Sequence, residues 1–288
     1  MSTQALENLS GRVAIVTGAS TGIGKEIARG LALRQASVVL AVRDVSRGER
    51  ARAEMAKEGH NLDLTVMQLD VSSPENVRDF AQRFRKHHKA LHILVNNAGA
   101  WSTTREVTPE GFERTWATNV LGPYLLTAEL LELLKAGAPS RIVNVASTAA
   151  GRLNLDDVQF ERRKYSGFTS YSASKQALRM LSWGLAKRLE GTGVTVNAVN
   201  PGFVKTELNR SAGGLFRVIF PVMQSLMAKT PEQGADTPLW VACGQDMEGV
   251  SGKFFSDRKE LPCDFRDAAQ IAELERLCAL HVRQPVPA

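Results

Sequence analysis

Short runs rich in Val and Ile alternate with longer segments of helical spacing through most of this chain, and no other feature narrows its fold so far. Arg12–Thr17, Ser37–Val42, Leu64–Leu69, His92–Val95, Arg141–Val145 and Val194–Val199 read as strands. Between them Ile23–Arg34, Ser46–Glu58 and Ser73–His87 read as helices, the last with apolar residues at Val77, Phe80, Ala81 and Phe84. Strands that are apolar almost without interruption are covered on both faces, and strand–helix–strand alternation supplies helices as the cover. The crossovers are right-handed, so the C-terminal tips of the strands gather on one edge, where ligands of open α/β sheets bind. The predicted fold is α/β: a single-domain, doubly wound parallel sheet with helices on both faces, spanning residues 1–288. No internal repeat and no Gly/Ser/Pro-rich linker divides it. Residues 151–169 read as a polar loop beside the substrate, 209–229 as an irregular apolar lid, and 1–10 and 282–288 as flexible ends.

Composition removes several function classes. With 43% hydrophobic and 23% charged residues, the chain has apolar surface enough to fold, which excludes a disordered segment. No apolar run approaches the roughly 20 residues of a membrane span. The polar start MSTQALENLSGR lacks a signal core, so a soluble, unprocessed, cytoplasmic protein is expected. Cys243, Cys263 and Cys278 form no CxxC pair and the histidines are dispersed, which speaks against a disulfide framework, a metal site or a Ser-His-Asp triad. The net charge of +6 raises nucleic acid as a partner, but the basic residues are interleaved with acids, as in RDVSRGERARAEMAKEGH. That is the pattern of a solvated helix face. A positive surface of this kind suits an anionic small molecule, and no nucleic-acid partner is expected.

The first strand runs into Thr17-Gly18-Ala19-Ser20-Thr21-Gly22-Ile23-Gly24 and a helix follows at once. Glycines Gly18, Gly22 and Gly24 permit a tight turn, close approach to a pyrophosphate and close packing of helix on strand. The backbone around Ser20, Thr21 and Ile23 then offers unpaired N–H groups and the positive end of the helix dipole to phosphate. The tip of the second strand carries Arg43 where an NAD site would carry a carboxylate, and a guanidinium suits a 2′-phosphate. NADP(H) is therefore preferred to NAD(H). Two readings compete: Arg43 as a solvated strand end, and Asp44 turned inward to repel the phosphate.

At this point the chain resembles the short-chain dehydrogenase/reductase family over nearly its whole length, and within it most closely the retinol dehydrogenase and WW-domain oxidoreductase-like branch. TGASTGIG is similar to the family's cofactor loop, and Leu69-Asp70-Val71 to its third-strand tip. Asn96-Asn97-Ala98-Gly99 matches its NNAG signature, Tyr171-Ser172-Ala173-Ser174-Lys175 its YxxxK motif, and Asn200-Pro201-Gly202 with Val204 and Thr206 its PGxVxT turn. The resemblance implies a Rossmann-like fold, with cofactor contacts at Gly18, Ser20, Thr21, Gly22, Ile23, Gly24, Arg43, Asp70, Val71, Asn97, Ala98, Gly99, Tyr171, Lys175, Pro201, Gly202, Val204 and Thr206. Asp70 would meet the adenine amine. Homodimers and homotetramers are common in such proteins. Two departures stand out: Gln35-Ala36 where Gly-Ala is usual, and Ala146-Ser147 where Ser-Ser is usual.

The resemblance assigns proton transfer to Tyr171. A free phenol has a pKa of about 10, too high for acid–base work near neutrality. A cation at i+4 lies on the same helix face and stabilises the phenolate, and Lys175 holds that position. By the same resemblance its ammonium would bond the nicotinamide ribose. Tyr165 and Tyr124 have Thr169 and Ala128 at that offset, so neither has the cation. Ser147, at the tip of the strand Arg141–Val145, is placed to donate to a substrate oxygen, or else to cap a turn. The resemblance makes Asn119 a fourth catalytic member holding a water that relays protons to Lys175; the plainer alternative is a side chain bonded to backbone. Phe160 and Phe168 either line the substrate entrance or pack their loop on the domain, and 213–227 offers apolar lining opposite. The expected function is transfer of a hydride between NADP(H) and a lipophilic carbonyl or alcohol. The alternative is a non-catalytic NADP(H)-sensing scaffold.

Overall fold

The computed structural model describes residues 7–57, 62–204 and 229–283. Thr206 and the expected lid, apart from Lys229, lie outside the described residues. In chain order the elements are β1 (Val13–Thr17), α1 (Gly22–Leu33), β2 (Ser37–Val42), α2 (Val45–Ala56), β3 (Leu64–Gln68), α3 (Pro74–His87) and β4 (Ile93–Asn96). There follow α4 (Arg114–Trp116), a π-helical turn (Ala117–Leu121), α5 (Gly122–Ala136), β5 (Ser140–Val145), α6 (Gly167–Arg188) and β6 (Val194–Asn200). The last are α7 (Pro231–Cys243), β7 (Phe254–Ser256), β8 (Lys259–Leu261) and α8 (Ala268–Val282).

The strands form one eight-stranded sheet in the order β3-β2-β1-β4-β5-β6-β7-β8. Every pair is parallel except β7–β8. Side chains alternate across it with period two. Val38, Leu40 and Val42 face the layer of α1, α2 and α7, where Ile27, Leu31, Met55 and Val241 are buried. Val39 and Ala41 face the layer of α3, α5, α6 and α8, with Phe80, Phe84, Leu125, Met180 and Leu274. This is the expected doubly wound sheet covered on both faces. Successive strands are added outward to one side from β1 to β3 and to the other from β4 onward, and the crevice at that switch point opens at the strand tips.

All six strands read from the sequence are present within a residue or two at each end. Three features were not read. Strands β7 and β8 have three residues each, too short to show an alternation, and pair as an antiparallel hairpin at the sheet edge. Helix α8 packs on α6 and closes the second layer. Helix α6 starts at Gly167 behind the cap Ser166, so it takes the last residues of the expected 151–169 loop, whose interior forms a single 3-10 turn at Leu155–Asp157.

One departure from the resembling family acquires a physical meaning. Helix α1 ends in a Schellman arrangement: the Ala36 N–H donates to the Leu31 carbonyl at 3.2 Å and the Gln35 N–H to the Ala32 carbonyl at 2.9 Å. The residue that closes it is Gln35, at φ +71°. A side chain in this left-handed region crowds its own carbonyl at a cost of about 1–2 kcal/mol, which glycine escapes. Gln35→Gly is therefore expected to stabilise the protein by about 1 kcal/mol, seen as a higher midpoint in thermal or urea unfolding.

Candidate active site

A cleft of about 590 Å³ opens at the tips of the parallel strands, within the size range of small-molecule sites. Its wall brings together Gly18, Ser20, Thr21, Gly22, Ile23 and Gly24 from the β1–α1 loop and Arg43 from the β2 tip. Asp70 and Val71 after β3, Asn97, Ala98 and Gly99 after β4, Pro201 after β6, and Tyr171 and Lys175 from α6 complete it. Residues as far apart in sequence as Gly18 and Pro201 thus meet because parallel strands end on one edge.

The β1 and β4 tips are tied across the switch point. The Thr17 hydroxyl accepts from the Asn97 and Ala98 N–H groups, each at 2.9 Å, and the Asn97 amide donates to the Thr17 carbonyl at 2.8 Å. Gly24 sits beneath this tie, where an added Cβ would collide with the Asn97 amide and lie 2.5 Å from the Gly18 carbonyl oxygen. Thr21, in extended conformation, opens α1 without a side-chain cap, and the first turn holds no acid. The helix N–H groups and the positive dipole end are left to an anion in the cleft.

The sequence left Asp44 open as a repulsive group. In the structure its carboxylate caps α2, accepting from the Arg47 N–H at 3.1 Å, while Arg43 stands exposed on the rim. Asp70 Oδ1 accepts from the Ser72 N–H at 2.9 Å and the Ser72 hydroxyl at 2.6 Å, which fixes the β3 tip. Gly202 and Val204 lead away from the cleft toward a bridge with Lys229, and the Val204 side chain lies under Gly234 of α7.

Helix α6 brings Tyr171 and Lys175 to the wall one turn apart, with the Lys175 Nζ 5.5 Å from the centroid of the Tyr171 ring. Ser147, just past the β5 tip, forms a side-chain hydrogen bond with the phenol, and its hydroxyl also accepts from the Ala149 N–H at 3.0 Å. The Ala149 bond is the turn cap that the sequence left open, and the same hydroxyl stands beside the phenol. Lys175 is buried and donates to the Val145 carbonyl at 2.8 Å. Burial disfavours its ammonium and draws the group down to about 8. The phenol departs from the expectation that lysine makes it acidic: burial holds Tyr171 above its ordinary value, and the Ser147 hydrogen bond pulls the other way. Desolvation of a phenolate outweighs that one bond.

Asn119 lies in the π-helical turn and is buried. Its side chain accepts from the Ala100 N–H at 2.7 Å and donates to the Ala100 carbonyl at 3.0 Å and to Ser174 Oγ at 2.9 Å. It is bonded mainly to backbone, the plainer of the two alternatives, and it holds the loop after β4 against α6. It does not stand far from the lysine: a Cβ on Gly99 would lie 3.6 Å from Asn119 Oδ1 and 3.9 Å from Lys175 Nζ. Phe160 is buried under Arg163 and edge-on to Tyr165 at 5.4 Å, so it packs its loop on the domain, whereas Phe168 is 57% exposed.

Sequence reading missed part of the wall: Arg47, Trp101, Ser102, Glu106, Arg114 and Thr118. Arg47 was detectable, standing four residues after Arg43 at the start of α2. The others come from the loop after β4 and the helical turns beyond it, where no periodic pattern announces which side chains face inward. Glu106 and Arg114 pair across that loop at 2.9 Å.

The model of the family described as short chain dehydrogenase matches residues 12–213. Human retinol dehydrogenase 12 is 45% identical over 256 residues, covering 87% of this chain and 79% of that protein. Human retinol dehydrogenase 13 is 39% identical over 259 residues, covering 88% and 78%. Among solved structures, an uncharacterised Mycobacterium paratuberculosis protein superposes with a TM-score of 0.79 at 29% identity, covering 99% of this chain and 98% of that one. The Pseudomonas aeruginosa RhlG/NADP active-site complex gives 0.71 at 29% identity, covering 88% and 97%. With that match over most of its length and relatives at this level of identity, the chain belongs to the short-chain dehydrogenase family, on its retinol dehydrogenase branch.

Proposed function

We propose that this protein is an NADP(H)-dependent oxidoreductase that interconverts a lipophilic carbonyl compound and its primary or secondary alcohol, with Tyr171 as general acid/base. One observation carries the reading: the Tyr171 phenol is hydrogen-bonded to Ser147 and lies over the Lys175 ammonium, in the wall of a cleft that also holds the glycine loop. The residues fit a dinucleotide, because uncapped N–H groups of α1 meet the cleft where glycines allow close approach. When bound, the nicotinamide supplies or removes the hydride.

The chain's own groups handle the proton. In reduction the Tyr171 hydroxyl gives its proton to the substrate oxygen, and the Ser147 hydroxyl donates a hydrogen bond to the same atom as charge develops there. The Lys175 ammonium stabilises the phenolate left behind. Asn119 acts through what it holds, the loop after β4 and Ser174 of α6.

Preference for NADP(H) is supported by Arg43 at the β2 tip and by Asp44, whose carboxylate is engaged in the α2 cap. A lipophilic substrate is supported by the exposed Phe168, on α6 three residues before Tyr171, and by relatives named for retinol, a long apolar alcohol. A cytoplasmic location belongs to the same proposal, on three free cysteines.

Tyr171→Phe is expected to lower turnover about 10²–10⁴-fold while NADPH affinity, read by fluorescence titration, stays near normal. Arg43→Ala is expected to weaken NADPH about 10–100-fold and NADH by less than about twofold in the same titration. The Lys175 ammonium, attracted to the anionic cofactor, is present below about 8 and lost above it. NADPH should therefore bind more weakly as pH rises from about 7 to 9, with a flat profile in Lys175→Met.

A further inference from the structure

Glu113 has no exposed surface and no part in the chemistry described above. Its carboxylate receives four donors. The Thr115 N–H at 2.9 Å and the Tyr165 hydroxyl at 3.1 Å meet Oε1, while the Trp116 N–H at 2.7 Å and the Ser170 hydroxyl at 3.2 Å meet Oε2. Two of these donors make Glu113 the N-cap of α4, and its own N–H donates to the Gln159 side chain at 2.6 Å. Among the described residues no Lys, Arg or His forms a salt bridge with it, so its polar atoms are matched by hydrogen bonds alone. The Tyr165 phenol, half-buried beside the carboxylate, is held above its ordinary range by desolvation and stays a donor.

The placement of these bonds along α6 is informative. Ser170 and Ser174 stand one turn apart and take one bond each from the α4 side, Ser170 to Glu113 and Ser174 from Asn119. Tyr171 and Lys175 are the same pair moved on by one residue. Each member of the proton-handling pair thus follows directly on a serine tied to the opposing helix. A rotation of α6 about its axis would break both ties and swing the phenol away from Ser147.

We propose that Glu113 is a positioning residue of the active site: its buried carboxylate, held through Ser170 and Tyr165, sets the rotation of α6 that keeps Tyr171 against Ser147. The proposal rests on the oxidoreductase reading above. It assigns to Glu113 an effect on the rate of the chemical step rather than on cofactor or substrate binding.

Glu113→Gln preserves shape but replaces one acceptor oxygen with a donor, leaving a backbone N–H and a hydroxyl facing an amide N–H. The test compares wild type, Glu113→Gln, Ser170→Ala, the double variant and Tyr171→Phe, with NADPH and the long-chain aldehyde that wild type reduces fastest. The expected result is a kcat about 10–100-fold lower in Glu113→Gln, with KM and NADPH Kd within about twofold. Ser170→Ala should fall in the same direction, and the double variant should match Glu113→Gln alone because Ser170 acts through its bond to Glu113. Wild-type kcat per folded molecule in Glu113→Gln, whatever its melting temperature, overturns the proposal, as do additive effects in the double variant. If Glu113→Gln does not fold, Ser170→Ala decides: wild-type kcat there overturns it. Failure of the underlying reading looks different, since Tyr171→Phe would then turn over like wild type.

Discussion

A parallel sheet buried on both faces has only its edges left for chemistry, and here one edge holds everything because β1 and β4 are tied at their tips. The tie consists of the Thr17 hydroxyl and the Asn97 amide, which satisfy backbone groups that the diverging strands can no longer pair with each other. Below it Gly24 lets α1 lie close enough for its N–H groups to face the cleft. Above it the loop after β4 turns toward α4 and is caught by Asn119. The glycine loop and the helix that carries Tyr171 and Lys175 are therefore registered on the same small set of hydrogen bonds.

Buried polar side chains in the second layer follow the same logic. Asn96 donates to Asn144 at 2.8 Å and to Thr127 at 3.2 Å, and Asn144 donates to Ser182 at 2.8 Å, a chain that runs from β4 through β5 to α6. An unpaired polar group at these depths costs more than the pair contributes, so the network fixes which rotation of α6 is allowed. Glu113 and Asn119 fix it from the other side. The helix that carries Tyr171 and Lys175 is thus set by polar bonds on two flanks, whereas apolar packing alone would tolerate small rotations.

What the sequence made legible divides along this line. Runs such as Ser37–Val42 are visible because burial of a strand on both faces needs uninterrupted apolar residues. The Tyr171–Lys175 pair is visible because one helical turn places both on one face. Signals that depend on a single bond were not visible. Whether Asp44 repels a phosphate or caps a helix is decided by its bond to the Arg47 N–H, and whether Phe160 lines an entrance or packs a loop is decided by Arg163 and Tyr165. Glu113 precedes a three-residue helix and has no periodic pattern to mark it. The three-residue strands of the β7–β8 hairpin are too short to carry one.

The electrostatics of the pair have a direction built in. Burial raises the Tyr171 phenol and lowers Lys175 to about 8, so desolvation favours the neutral form of each. In the proposed carbonyl reduction the phenol must give up its proton, and the burial that keeps it protonated also makes it a weaker acid. Alcohol oxidation needs the phenolate, which forms only when positive charge nearby offsets the desolvation, and Lys175 is the cation that α6 places under the ring. On the function proposed above, formation of the phenolate therefore depends on Lys175 retaining its charge. Because that charge is itself held only below about 8, raising the pH to free the phenol also removes the group that stabilises it.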